Sequence, residues 1–195
     1  MATFKEDKYV KVDNLLSIDV CKIAEQYFMF DRMNEFHPDK ADVLFPNTHG
    51  RYADLLGETL LLYLKPKIEE CTELNLIPTY SFFRIYKSGD ELKFHTDRES
   101  CEITCSVTIG LNYDEHIEIW PLNFDTANLM DRVSLKPGDA AIYRGCEIWH
   151  GRNFFECSKD AYHIQLLLHY VDANGPYAKE YKYDKRPSIG IKKND

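Results

Sequence analysis

The sequence predicts an α+β fold that is mainly β, in which two helices pack on one side of a sandwich or jelly-roll barrel. Apolar residues recur at helical spacing before residue 76, and from residue 77 onward the pattern changes to short β-type runs between turns. Helices that give way to a series of strands indicate helices covering one side of a sheet. Short strands with turn punctuation are typical of sandwiches and jelly rolls.

The N-terminal part, residues 1–76, is expected to support the β core as part of the same domain. An edge strand is predicted at residues 9–12, and an amphipathic helix from Ser17 to about Phe30. A second helix starts near Tyr52, and Pro66 is expected to kink or interrupt it. Between the helices, the polar segment 31–50 reads as a long loop, which is often a functional lid.

The core, residues 77–172, contains the predicted strands, and residues 173–195 form a C-terminal extension. Gly- and Pro-containing turns such as Lys136-Pro137-Gly138-Asp139 separate the strands. The β-type runs are 79–86, 92–97, 103–111, 116–124, 132–135, 139–144, 147–152 and 161–171.

Composition and charge limit the classes of function. With 44% apolar and 29% charged residues in 195, the chain can bury a core as one domain. A formal net charge of −8 argues against a dedicated nucleic-acid binder, which needs a basic face. The N-terminus has no signal-peptide pattern, and the longest apolar run, 60–64, is too short for a membrane span.

Cysteine usage indicates a reducing compartment. The chain has 6 cysteines and no Cys-x-x-Cys pair, so we expect free thiols in a cytoplasmic protein. The sequence does not indicate an oligomeric state.

The segment His95-Thr96-Asp97 carries the clearest chemical signal. It follows a strand, and extended backbone places His95 and Asp97 on the same face. Two histidines and one carboxylate form the facial triad that suits non-haem Fe(II). His150 is the candidate third ligand, since distant strands become neighbours in a jelly roll. The pairs His37/Asp39 and His116/Glu118 are interpreted as surface residues.

Segments on both sides of this motif resemble the core of the Fe(II)/2-oxoglutarate-dependent dioxygenases, and most closely the prolyl-hydroxylase-like branch. The matching segments are Arg84-Ile85-Tyr86, His95-Thr96-Asp97, 104–112, 135–140, His150 and 165–171. The resemblance implies a double-stranded β-helix with Fe(II) bound by His95, Asp97 and His150. It also implies O2-dependent decarboxylation of 2-oxoglutarate to succinate, with hydroxylation of a substrate C–H bond.

The far carboxylate of 2-oxoglutarate needs a cation, ideally a guanidinium. The family usually places Arg or Lys about nine to fifteen residues after the distal histidine, where this chain has Lys159 and His163. Arg152 is favoured instead, because it should share the inward face of His150. The remaining candidates for the cosubstrate site are Tyr86, Thr108 and, on the face of His163, Gln165.

Substrate contacts are assigned to Arg84, which shares the face of Tyr86, and to Arg98 and Trp149, which are adjacent in sequence to Asp97 and His150. His169 is a candidate for orienting a metal ligand from behind through a hydrogen bond. The resemblance suggests a protein or peptide side chain as substrate, prolyl included, or a small molecule. Two alternatives remain open: a cupin-like metalloenzyme that does not use 2-oxoglutarate, and a non-catalytic jelly-roll module whose histidines hold no metal.

Overall fold

Ten strands form two antiparallel sheets in this computed structural model, which describes residues 2–33, 48–113, 118–126 and 129–191. The strands are β1 Tyr9–Val12, β2 His49–Tyr52, β3 Leu76–Lys87, β4 Leu92–His95, β5 Ile103–Leu111, β6 Leu122–Asp125, β7 Met130–Val133, β8 Ala140–Arg144, β9 His150–Arg152 and β10 Tyr162–Asp172. The major sheet has the order β1-β8-β5-β10-β3-β2 and the minor sheet the order β4-β9-β6-β7. The predicted mainly β fold with supporting helices is confirmed.

Two helices, α1 Ile18–Met33 and α2 Leu55–Thr72, cover the outer face of the major sheet. Asp54 caps α2 by accepting hydrogen bonds from the backbone N–H groups of Leu56 and Gly57. Of the two outcomes predicted for Pro66, a kink or an interruption, the interruption does not occur, because α2 runs through this residue. Its buried face continues past the proline to Ile68, so packing on the sheet offsets the missing backbone donor.

Strand β2 was not expected from the sequence, which predicts a loop up to residue 50 and a helix from Tyr52. The segment His49–Tyr52 instead pairs antiparallel with residues 82–85 of β3 and forms one edge of the major sheet. All four residues of β2 are only partly buried, so neither face of the strand requires apolar side chains. The sequence of β2 therefore lacks the alternating apolar pattern that predicts a strand. The predicted edge strand at residues 9–12 is confirmed as β1, the opposite edge.

Some predictions fall outside the described residues. The proposed lid lies largely in residues 34–47, and His37, Asp39 and His116 are also outside. Within the described part, no helix is both long and apolar enough to cross a membrane. All six cysteines are free, as predicted.

Of the three apolar clusters among the described residues, two hold the layers together. The larger lies between the helices and the outer face of the major sheet and includes Phe28, Leu64, Phe83 and Leu166. The smaller lies between the two sheets and includes Phe124 and residues of β8. The inner face of the major sheet is therefore only partly filled by apolar side chains, and the rest of it lines a cavity.

The C-terminal residues fold back across β3. After α3, Ala178–Tyr181, comes a 3₁₀ segment, Lys182–Lys185, in which three consecutive residues have left-handed φ angles of 53°, 51° and 63°. Arg186 then forms an ion pair of 3.0 Å with the buried Glu58 of α2. Its guanidinium also donates to the backbone oxygen of Thr79, which ties this segment to the sheet.

Candidate metal centre and cosubstrate pocket

Strands β4 and β9 place two histidines directly opposite each other. His95 and His150 are cross-strand partners, and their ring centroids are 4.6 Å apart. Each Nδ1–H donates to a backbone oxygen, that of Lys93 at 2.7 Å for His95 and that of Ile148 at 3.0 Å for His150. These hydrogen bonds fix the tautomer and leave both Nε2 atoms as metal-ligating lone pairs.

Asp97 completes the cluster from just beyond the end of β4. The sequence predicts a strand through residue 97, but pairing ends at His95, and the Asp97 N–H instead donates to the Gly145 oxygen at 2.8 Å. The Asp97 Oδ1 atom lies 3.4 Å from Nε2 of His95 and 3.6 Å from Nε2 of His150. The three side chains offer ligand atoms within 4.8 Å of one another, a distance that a metal ion can bridge.

The protonation state of Asp97 suits this role. Burial alone would raise the pKa of its carboxyl group, but the interactions with His150 and His95 hold the pKa well below its usual range. The same contact with Asp97 raises the pKa of His95. The cluster therefore contains a permanent carboxylate at neutral pH, and the charge of that carboxylate favours a bound cation.

Gly145 is required by the close approach of the chain to Asp97. A Cβ atom at this position would collide with Oδ2 of Asp97 and with the backbone oxygen of Cys101. Only glycine lets the turn after β8 pass over the carboxylate of Asp97. In this position the Gly145 oxygen accepts the hydrogen bond from the Asp97 backbone N–H.

A short hydrogen-bond chain orients Asp97 from behind. The Thr104 hydroxyl donates to Oδ2 of Asp97 at 3.0 Å, and His169 Nδ1 lies 3.0 Å from the same hydroxyl. Asp97, Cys101 and His169 also form a second group with metal-ligand spacing. Burial raises the pKa of Cys101 to about 12, so this side chain stays a thiol, which is a poorer ligand than a thiolate. The group with two histidines is the better candidate.

A cavity of about 710 Å³ opens in front of this cluster, and the predicted Arg152 lies in its lining. The Arg152 side chain is almost completely buried, and its guanidinium packs over the Trp120 ring at 4.9 Å. One nitrogen, Nη1, donates to the backbone oxygen of Trp120. The other, Nη2, is buried and has no hydrogen-bond partner among the described residues. An unpartnered buried donor of this kind fits an anionic ligand.

The other predicted cosubstrate residues differ in position. Tyr86 and Gln165 line the same cavity, whereas Thr108 is buried with a hydroxyl that lacks a partner among the described residues. Gln165 donates to Ser106 at 2.9 Å and is directly opposite Thr108 on β5. Lys159 lies in an exposed turn and is not among the cavity-lining residues.

His163 is not part of the cavity wall. Its Nδ1 accepts from the Tyr113 hydroxyl at 2.8 Å, and its Nε2–H donates to Oε1 of Gln165 at 3.2 Å. Burial, and next the nearby Arg152 charge, lower its pKa well below the usual value. His163 is thus a neutral, fully hydrogen-bonded side chain that buttresses Gln165.

Of the predicted substrate contacts, Arg84 and Arg98 line the cavity, whereas Trp149 is 53% exposed and does not. The Arg98 guanidinium lies 4.8 Å from the Tyr80 ring centroid and makes two hydrogen bonds, of 3.2 and 3.3 Å, with Asp184. Asp184 is buried and also accepts from the Tyr52 hydroxyl at 2.6 Å. Sequence reasoning missed Asp184, because no local pattern connects the C-terminal extension to the motif around Asp97.

Several solved enzyme structures have a fold similar to that of this chain. A prolyl-4-hydroxylase from Pseudomonas putida matches with a TM-score of 0.66 and 12% identity, over 85% of this chain and 94% of that one. The α-ketoglutarate-dependent epimerase SnoN of nogalamycin biosynthesis matches with a TM-score of 0.72 and 12% identity, over 97% and 86%. The chain shares the double-stranded β-helix fold of these enzymes.

A third match widens the range of sources. The viral collagen prolyl hydroxylase vCPH from Paramecium Bursaria Chlorella virus-1, solved with 2-oxoglutarate, gives a TM-score of 0.61 at 12% identity, over 87% of this chain and 98% of that one. No protein-family model matches the sequence, and no curated protein does. At this level of identity the likeness establishes the fold.

Proposed function

We propose that this protein is an Fe(II)- and 2-oxoglutarate-dependent oxygenase. The observation that carries the proposal is that one cavity is lined by the triad and by Arg152, whose Nη2 has no hydrogen-bond partner among the described residues. The triad provides a site for ferrous iron, and the guanidinium provides a site for a dicarboxylate. A fold that solved 2-oxoglutarate enzymes share supports the combination.

The iron would be held by Nε2 of His95, Nε2 of His150 and a carboxylate oxygen of Asp97. With three protein ligands, the metal would keep coordination positions for the cosubstrate and O2. The backbone acceptors behind each histidine keep the rings in the ligating orientation, and Thr104 does the same for Asp97.

Arg152 would bind the far carboxylate of 2-oxoglutarate. A guanidinium that is already buried and anchored on Trp120 has lost its side-chain entropy before the ligand arrives. Thr108 is a candidate second donor, since its buried hydroxyl needs a partner. Gln165 and Tyr86 complete the polar part of the wall.

When bound together, Fe(II), 2-oxoglutarate and O2 would supply the oxidation itself, in which 2-oxoglutarate is converted to succinate and CO2 and a substrate C–H group becomes C–OH. The apolar wall residues, Leu122, Tyr143 and Leu167 among them, limit the access of water to the site. The substrate is a protein or peptide side chain, prolyl included, or a small molecule. The free cysteines support a reducing, cytoplasmic location, which also keeps iron ferrous.

The test is succinate formation by the purified protein with Fe(II), 2-oxoglutarate and O2. The proposal expects succinate that depends on all three, including slow turnover without a substrate. The matched controls are His150→Ala, which removes a buried ligand, and Asp160→Ala, an exposed carboxylate outside the cavity. Succinate should be lost in the first variant and unchanged in the second.

The alternatives give different outcomes in the same assay. Iron that binds at one equivalent without any succinate would favour the cupin-like metalloenzyme. A well-folded protein that binds no iron would favour the non-catalytic module and would contradict the proposal.

A further inference from the structure

A line of hydrogen-bonded side chains runs from the backbone of Trp120 to the wall of the cavity. The Trp120 N–H donates to the Tyr113 hydroxyl at 3.1 Å, and that hydroxyl lies 2.8 Å from Nδ1 of His163. Nε2 of His163 lies 3.2 Å from Oε1 of Gln165, whose Nε2 lies 2.9 Å from the Ser106 hydroxyl. The four side chains of this relay, Tyr113, His163, Gln165 and Ser106, are all buried, and the last two line the cavity.

The direction of every bond in the relay is fixed at its Trp120 end. A backbone N–H can only donate, so the Tyr113 oxygen accepts from it. The only acceptor for the Tyr113 proton among the described residues is then Nδ1 of His163. Burial lowers the pKa of His163 well below its usual value, so the neutral ring carries one proton, on Nε2. The Gln165 oxygen accepts that proton, and the Gln165 NH2 group therefore donates to Ser106.

Ser106 is left with a hydroxyl proton to donate. Its oxygen accepts from Gln165, and within the described part of the chain no hydrogen bond uses the Ser106 hydroxyl as donor. Ser106 is only 2% exposed, yet it lines the cavity, so a group bound in the cavity can accept this proton. The Thr108 hydroxyl differs in this respect, because Thr108 is not among the lining residues.

The relay and Arg152 share one anchor. The Trp120 N–H starts the relay, whereas the Trp120 oxygen accepts from Nη1 of Arg152 and the Trp120 ring packs against the guanidinium. Arg152 and Ser106 both line the cavity, and each keeps a donor without an acceptor among the described residues. Two such donors suit a group that only accepts hydrogen bonds. A carboxylate does so, whereas a carboxamide also brings donors of its own.

We propose that the relay makes Ser106 a hydrogen-bond donor to the far carboxylate of 2-oxoglutarate, and that His163 and Gln165 are the positioning residues that set this polarity. The inference rests on the proposed oxygenase function and adds the feature that distinguishes a carboxylate from a carboxamide. His163 lies where the family that the sequence resembles usually has a cation. In this chain it serves the cosubstrate as a neutral group, through Gln165 and Ser106.

The first measurement is the nitrogen NMR spectrum of the His163 ring in the metal-free protein, which does not depend on the oxygenase proposal. Nδ1 should show the shift of an unprotonated ring nitrogen and Nε2 that of a protonated one. The His163→Gln variant identifies the two signals by their loss. A proton on Nδ1 would reverse the bonds of the relay and overturn the inference.

The second measurement titrates the ferrous protein without oxygen and follows the visible charge-transfer band. Ser106→Ala should raise the Kd for 2-oxoglutarate roughly tenfold or more, because a hydrogen bond to a charged group is lost. The matched control is Ser134→Ala, whose hydroxyl donates to the backbone oxygen of Ile119 outside the cavity wall and whose loss should leave the Kd unchanged. A wild-type band with an unchanged Kd in Ser106→Ala overturns the inference alone. A wild-type protein without the band contradicts the oxygenase proposal, and the inference falls with it.

The positioning role of His163 is tested by the preference for 2-oxoglutarate over its far-end amide, 2-oxoglutaramate, in the same titration. His163→Phe removes the donor to Gln165, so the Gln165 amide and the Ser106 hydroxyl can turn. The preference should then fall roughly three- to tenfold. His163→Gln keeps an N–H donor near the position of Nε2 and should restore the preference. An unchanged preference in His163→Phe, or an equal fall in both variants, overturns the positioning role, since lost packing alone would affect both alike.

Discussion

The two faces of the major sheet are both largely buried but differ in chemistry. On β3 and β10, Phe83 and Leu166 point to the helices with no exposed surface, whereas Arg84 and Gln165 beside them point to the cavity and are at most 8% exposed. Because side chains alternate along a strand, neighbouring residues of the same strand point to opposite faces. The outer face stabilises the fold by burying apolar side chains. The inner face buries polar side chains as well, and their burial adds little to the stability of the fold.

Substitutions on the inner face should therefore affect mainly function, and substitutions on the outer face should affect mainly stability. The largest effect is expected for Asp97→Ala, which removes the only carboxylate of the triad. Iron binding and succinate formation should both be lost, while the unfolding midpoint of the metal-free protein stays close to that of the wild type. Metal analysis of the dialysed protein together with thermal unfolding checks both parts. Succinate formation at the wild-type rate would contradict the triad.

The next largest effect is expected on the outer face. Phe83 is fully buried and its ring stacks on Phe28 with centroids 4.0 Å apart. Phe83→Ala should lower the free energy of unfolding by about 3–5 kcal/mol, because it leaves a cavity beneath the helices. Denaturant titration measures this, and the affinity of the folded fraction for 2-oxoglutarate should stay within a factor of about two. A large change in that affinity would show that the two faces are coupled.

Arg152→Ala tests the opposite combination. The apparent Michaelis constant for 2-oxoglutarate should rise by roughly 10- to 100-fold, since a charged hydrogen bond contributes about 1.5–3 kcal/mol. The free energy of unfolding should not fall by a comparable amount, because the variant also removes a buried charge with an unpartnered nitrogen. Steady-state kinetics and denaturant titration are the two measurements. An unchanged Michaelis constant would contradict the assignment of Arg152 to the far carboxylate.

The smallest effect is expected for the pairing between the half-exposed Arg98 and the buried Asp184, which Asp184→Asn weakens. Arg98 is half exposed, so its pairing with Asp184 is screened by water and contributes about 0.5–1 kcal/mol. A double-mutant cycle of Asp184→Asn with Arg98→Gln, followed by denaturant titration, should give a coupling energy of that size. A coupling energy near zero would show that the C-terminal segment does not hold Arg98 in solution.

Local pattern accounts for what the sequence predicts well. Alternation and turn residues locate most strands of the core, and the spacing of His95 and Asp97 points to the cluster that the structure brings together with His150. The direct pairing of His95 with His150 was not predictable, because register between strands far apart in sequence depends on the whole sheet. Only the folded chain brings the candidate ligands together.

Long-range contacts account for what the sequence does not predict. Strand β2 lacks an apolar alternation, so nothing in its own residues distinguishes it from a loop. Asp184 reaches Arg98 from 86 positions away through a left-handed segment. His163 lies in the window where the family that the sequence resembles usually has a cation, yet Tyr113 and Gln165 use both of its nitrogens. Such partners are visible only in three dimensions.

The most direct test of the central claim is an anaerobic titration of the metal-free protein with Fe(II) and then with 2-oxoglutarate, followed by visible absorption. One iron should bind per chain, and a charge-transfer band should appear only when both Fe(II) and 2-oxoglutarate are present. The band should be absent from Asp97→Ala and should need a higher concentration of 2-oxoglutarate in Arg152→Ala. Iron that binds without the band, or no iron in well-folded protein, would contradict the assignment of this cavity.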